Sequence, residues 1–118
     1  MNKILFLFVI STLFGCAHNQ PTQSEYDRHY VVVDVNINDQ GKYNKFIELE
    51  APVLKKYGAF MGMDIRSQDQ KRRYLIISFP NREANENFVK SKEFQDILPL
   101  GIESAKSTIF HGYLHRSN

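Results

Sequence analysis

Tyr30-Val31-Val32-Val33-Asp34-Val35-Asn36-Ile37 is a run of β-branched residues with two polar residues set two apart. Side chains alternate along a strand, so Val31, Val33, Val35 and Ile37 share one face and Val32, Asp34 and Asn36 share the other. Working outward, Asn38-Asp39 makes a helix cap. Between Gln40 and Tyr57 the large apolar residues fall at 43, 46, 47, 49, 53, 54 and 57, which is mostly helical spacing. Pro52 falls inside this stretch and predicts a bend or local break, and Gly58 predicts its C-terminal cap.

Ala59–Arg66 reads as a second strand, Ser67-Gln68-Asp69-Gln70 as a hairpin loop and Arg72–Phe79 as a third strand ended by Pro80. Asn81 then caps a second helical stretch carrying Ala84, Phe88, Val89, Phe94, Ile97 and Leu98, expected in two pieces around Ser91 and stopped at Pro99. Ser107–Leu114 is the last strand. The order β-α-β-β-α-β predicts an α+β, ferredoxin-like fold, with an antiparallel four-stranded sheet and two helices on one face.

The segment ahead of this domain gives an address. Met1-Asn2-Lys3 is a short positive start, and Ile4–Phe14 is an apolar run broken only by Ser11 and Thr12. It suits a signal peptide and falls short of the roughly 20 residues that span a bilayer. Leu13-Phe14-Gly15-Cys16 resembles the bacterial lipobox, which is cut before its cysteine. The expected divisions are a signal peptide over 1–15, a lipidated Cys16 with a flexible tether over 16–29, and the folded domain over 30–118. Cys16 is the sole cysteine, so no intramolecular disulfide can form. A thioether-linked diacylglycerol and an acylated amine would make attachment effectively permanent. Ala17 after the cysteine resembles Gram-negative sorting to the outer membrane, facing the periplasm.

Charge excludes one class of partner. The chain has 15 Lys and Arg against 13 Asp and Glu, for a net charge of +2. Lys71-Arg72-Arg73 is its only basic run, so there is no stripe for nucleic acid.

Specific residues carry a family resemblance. They are Tyr30–Val35 with Asp39 and Tyr43, then Ala51-Pro52 and Lys56-Tyr57-Gly58. Ser78-Phe79-Pro80-Asn81-Arg82-Glu83-Ala84 and Ser91-Lys92-Glu93-Phe94-Gln95 follow. Together they resemble the domain-of-unknown-function family numbered 1330, of the dimeric α+β barrel superfamily, over about residues 30–114. Leu98-Pro99-Leu100-Gly101 stands where that family usually has an arginine, and Gly58-Ala59 replaces its usual double glycine. The resemblance implies a homodimer in which two four-stranded sheets pack face to face with helices outside. Superfamily relatives include cofactor-independent monooxygenases and haem-degrading, dehalogenating and lactone-forming enzymes; fold alone assigns none of these activities.

With Val31, Val33 and Val35 on the helices, alternation turns Val32, Asp34 and Asn36 toward the barrel interior. It also turns Phe60, Asp64 and Arg66 inward from strand two, and Tyr74, Ile76 and Ser78 from strand three. The last strand offers either Ile109, His111 and Tyr113 or Thr108, Phe110 and Gly112. Asp34, Tyr74, Ser78 and His111 are thus the candidate catalytic or ligand-binding residues; an Asp with a His or Tyr can abstract a proton from an acidic carbon. Polar contacts at a wet dimer interface would explain the same residues. His111 and His115 lie about 13 Å apart on a strand, too far for one metal ion, and His18 and His29 fall in the tether. Met61 and Met63 alternate as core residues do. No phosphate loop, nucleophile elbow or zinc spacing is present, and no metal or cofactor is expected. Three functions fit: a membrane-anchored small-molecule-binding or interaction module, a cofactor-independent enzyme, or a structural partner in the envelope.

Overall fold

The computed structural model describes residues 24–117. Leu13, Phe14, Gly15 and Cys16 lie outside the described residues, with the leader and the start of the tether. The elements are β1 (His29–Ile37), α1 (Gln40–Lys56), β2 (Phe60–Arg66), β3 (Arg72–Phe79), α2 (Arg82–Lys90), α3 (Lys92–Ser104) and β4 (Ala105–Gly112). The four strands form one antiparallel sheet in the order β2-β3-β1-β4, and the valine-rich β1 sits in its interior.

Each helix starts on a polar cap that satisfies one orphan backbone N–H. Asp39 accepts from the Lys42 N–H at 3.1 Å, Asn81 from Ala84 at 2.8 Å and Ser91 from Phe94 at 3.2 Å. Ser91 also ends α2, its hydroxyl donating to the Phe88 carbonyl at 2.7 Å. The second helical stretch is therefore two helices, the two pieces expected around Ser91, and the described residues hold three α-helices. Pro52 and Pro99 lie inside α1 and α3 without ending them. Both prolines are exposed, as are Glu48 and Gln95, whose carbonyls they leave unbonded, so water can satisfy those groups. Gly58 follows α1 at φ +76°, and a Cβ there would meet Pro80 Cγ at 2.8 Å. Glycine is required on both counts.

Register fixes the two faces of the sheet. Val31, Val33 and Val35 lie opposite Ile77, Leu75 and Arg73 on the helix side. Val32, Asp34 and Asn36 lie opposite Ile76, Tyr74 and Arg72 on the open side. The core gathers on the helix side: Val31, Val35, Tyr43, Val53, Leu54, Leu75, Ile77, Phe79, Phe88 and Ala105 are buried. Each large side chain there contributes about 1.5–3 kcal/mol.

β2 departs from simple alternation. A register shift between Met61 and Met63 makes a bulge, after which Met63 lies opposite Ile76 and Asp64 opposite Leu75. Asp64 and Arg66, expected on the barrel side, are carried to the helix side, and Met63 and Ile65 take their place. The cause is chemical as well as geometric. Arg73 is only 2% exposed; its Nε and Nη2 donate to the Asp64 carboxylate at 2.8 and 3.1 Å and its Nη1 donates to Tyr43 Oη at 3.0 Å. A buried guanidinium needs that carboxylate, and the bulge delivers it.

The folded part also begins earlier than residue 30. Glu25–Asp27 is a 3-10 turn capped by Ser24. Buried Arg28 donates from Nε to Ser78 Oγ at 2.9 Å and from Nη2 to the Ser78 and Gly58 carbonyls at 3.0 Å. β4 runs over Ala105–Gly112 instead of Ser107–Leu114, because its ladder with β1 starts at Ala105 opposite Ile37 and ends at Gly112 opposite Tyr30.

Candidate functional site

The four candidates from the sequence divide between the two faces. Asp34, Tyr74 and Ser78 stand on the open face, and none converges with another on a pocket. Asp34 is taken up by Arg72, whose Nη2 and Nε donate to it at 2.9 and 3.2 Å. Those hydrogen bonds hold its carboxyl below the ordinary range, so it is a fixed anion rather than a base tuned near neutrality. Tyr74 lies across from Asp34 and is exposed, while Ser78 accepts the Arg28 bond four residues further along, about 13 Å away on a strand.

His111 lies opposite Val31, which settles the parity of the last strand: Thr108 and Phe110 face the open side and His111 the helix side. There it meets His29, which the sequence placed in the tether. His29 Nε2 and His111 Nδ1 are 3.0 Å apart, with ring centroids at 5.2 Å. One imidazole must donate and the other accept, so the bond exists only while one of the facing nitrogens is unprotonated. Burial, then the charges of His111 and Arg82, lower the His29 pKa; Glu86 opposes them.

The helix side holds a half-open cavity of about 770 Å³ between the sheet and the three helices, floored by residues of the packed core and open to solvent at Ile102 and Ile109. Its walls are chiefly apolar, among them Val33, Leu54, Leu75, Phe88, Phe94 and Ile109; the polar residues at its surface include Tyr43, Glu50, Asn85 and His111. Its size and character are those of a small-molecule site. Tyr43 Oη already accepts from Arg73.

Glu50 is different. It makes no hydrogen bond or ion pair among the described residues, and burial pushes its carboxyl up to about 7, with Arg73 pulling weakly the other way. A carboxyl poised at neutrality in an apolar cavity can take or give a proton there. The sequence held a signal for it. Tyr43, Phe46, Ile47, Glu50 and Leu54 follow one helical stripe, and the stripe passes through position 50 rather than the half-exposed Leu49. A glutamate interrupting an apolar stripe marks an acid aimed at the core.

A second, more polar crevice of about 900 Å³ opens at the end of the sheet where β1 begins and β4 ends. Its walls include His29, Arg82, Glu86, Lys90 and Tyr113, and it shares Asn85, Val89 and His111 with the apolar cavity. Among the described residues no three metal-ligating side chains cluster, and no helix is long and apolar enough to cross a membrane.

This architecture is shared with solved proteins. The cofactor-independent oxygenase SnoaB from Streptomyces nogalater superposes with a TM-score of 0.65 at 12% identity, over 77% of this chain and 96% of that one. A protein of unknown function from Rhodopseudomonas palustris gives 0.65 at 10% identity, over 91% of this chain and 94% of its own. Another of unknown function, from Bacteroides thetaiotaomicron, gives 0.59 at 19% identity, over 75% and 99%. At these identities the likeness is one of fold. No curated protein matches the chain in sequence. Residues 28–111 match the model of a domain of unknown function, DUF1330, and the chain belongs to that family.

Proposed function

We propose that the domain binds a small, predominantly apolar molecule in the cavity between its sheet and its helices, and does so as a lipid-anchored homodimer in the cell envelope. The cavity carries the reading: about 770 Å³ of space walled by aliphatic and aromatic side chains, with few polar groups. Asp34, Tyr74 and Ser78 then belong to the dimer face, and His111 to the rim of the cavity. Cys16 and the Leu13-Phe14-Gly15 that precedes it support the anchor, through their resemblance to a lipobox. Ala17 favours the outer membrane, with the domain in the periplasm. Cys16→Ala should move the protein from the detergent phase to the aqueous phase in a partition assay.

The binding test is thermal. A panel of apolar and weakly polar metabolites is screened for a rise in the melting temperature of the purified protein, and hits are repeated on Ile109→Trp. Ile109 lines the cavity yet is more than half exposed, so a larger ring there fills space without disturbing the packed core. Ligands should stabilise the wild type by about 2–3 kcal/mol at 100 times their Kd, and the tryptophan variant should lose that gain. A panel that shifts nothing, or hits that stabilise both proteins equally, counts against the cavity.

Glu50 favours a second reading, a cofactor-independent isomerase on the fold that the cofactor-independent oxygenase SnoaB also has. A carboxylate near neutrality can remove an acidic C–H proton from a bound carbonyl compound, leaving an enolate, and return the proton elsewhere. Glu50→Gln would then abolish turnover while leaving ligand binding intact.

A further inference from the structure

The cavity and the crevice at the sheet end have opposite chemistry and a common wall. Asn85, Val89 and His111 border both. On one side of them stand apolar side chains; on the other stand Arg28, Arg82 and Lys90 against Asp27 and Glu86, with the His29–His111 pair between. Arg82 is engaged with Glu86 at 3.2 Å, whereas Lys90 makes no ion pair among the described residues. Charge also differs from end to end. Glu50 feels Arg73, which lies opposite Val35, while His111 lies opposite Val31. Four strand residues separate those levels, about 13 Å. The far end of the cavity therefore holds a carboxyl that makes no hydrogen bond among the described residues, and the near end borders a crevice with a surplus of cations.

From this juxtaposition we infer that the two chambers form one site for an amphiphilic carboxylate, whose apolar chain fills the cavity and whose anionic head lies in the crevice beside Lys90. Glu50 fixes the direction, because an anion entering head-first would meet a second carboxyl, and the one guanidinium nearby, Arg73, is already held by Asp64. The class of ligand is a free single-chain fatty acid or a similar acid with one long apolar body. This inference rests on the cavity reading and names what the cavity takes.

The test uses the fluorescent polyene acid cis-parinarate and its methyl ester on the intact protein. The acid should bind about tenfold more tightly than the ester. Lys90→Glu should remove that preference and leave ester binding as it was; Lys90 is exposed, so the fold tolerates the change. Octanoate, decanoate and dodecanoate should displace parinarate with affinity rising up to about fourfold per methylene, the effect of burying each one. Equal affinity for acid and ester, or an undiminished preference in Lys90→Glu, overturns the placement of the head. Tighter binding of dodecylamine than of dodecanoate overturns the class of ligand, as does displacement by anionic phospholipid vesicles but not by dodecanoate. If neither acid nor ester binds while a compact apolar metabolite still raises the melting temperature and Ile109→Trp removes the rise, the amphiphile is wrong and the cavity stands. If Ile109→Trp binds parinarate as the wild type does, the cavity itself is wrong.

Discussion

Glu50 lies where an ionised side chain is costly: half-buried, walled by apolar residues and without a hydrogen-bond partner. Its folded-state pKa of about 7 stands above its ordinary value of 4.5. A raised carboxyl contributes most to stability below the unfolded pKa, and that contribution is lost as pH rises through about 7. Glu50→Gln, which keeps the shape and removes the charge, should therefore stabilise the protein by about 1–3 kcal/mol more at pH 8.5 than at pH 5. Urea unfolding at the two pH values measures this, and a gain independent of pH would show that Glu50 is not titrating in the cavity. Much less of the site than of the fold was legible at this scale. Strand alternation placed Asp34, Tyr74 and Ser78 together on the open face, but alternation says nothing of partners. Asp34 is ion-paired with Arg72, and the Ser78 hydroxyl accepts a hydrogen bond from Arg28, a residue the sequence assigned to the tether. His111 could be placed only by register, which depends on how β4 pairs with β1, and its partner His29 comes from 82 residues away in the chain.

The elements themselves were readable because their signals are local. β-branched alternation marked the strands, Asp39, Asn81 and Ser91 marked the helix starts, and Gly58 marked a helix end. The errors came from tertiary influences on local rules. Pro52 and Pro99 were tolerated because their turns face water, and the bulge at Met61 and Met63 was set by buried Arg73 drawing in Asp64. Ser91 shows how much one cap can do. Its hydroxyl donates to the last turn of α2 and accepts from the first turn of α3, so one side chain fixes both the break and the restart. Ser91→Ala removes both bonds and should cost about 1–2 kcal/mol. Ser91→Asp restores only the acceptor and should recover most of that loss, since the N-cap bond is the larger contribution. Chemical denaturation of the two variants distinguishes them, and an Asp variant as weak as Ala would place the energy in the Phe88 contact instead.

At the scale of the whole molecule, the helices cover one face of the sheet and leave the other bare. Phe110 is 66% exposed and Ile65 56%, with Met63 and Tyr74 also open on that face. An apolar sheet face of this extent is unusual on a protein that stays alone in water. The homodimer proposed above supplies a cover of matching shape, a second copy of the same sheet. Each copy would also bring an Asp34–Arg72 ion pair, satisfied within its own chain at 2.9 Å, so the interface gains no unpaired charge from it. Phe110→Asp places an unpaired carboxylate on that face, at a site that the proposed homodimer would bury. The lost apolar area and the buried charge together amount to about 3 kcal/mol or more, so the dimer should weaken at least a hundredfold. Phe110 contributes little to the monomer core, so circular dichroism should report an unchanged fold while light scattering falls to the mass of one chain. A Phe110→Asp protein that keeps its dimer at micromolar concentration would mean that the copies associate through another surface. Retained ligand binding in that monomer would be equally informative, because the cavity is built within one chain, on the opposite side of the sheet from the face proposed for the dimer.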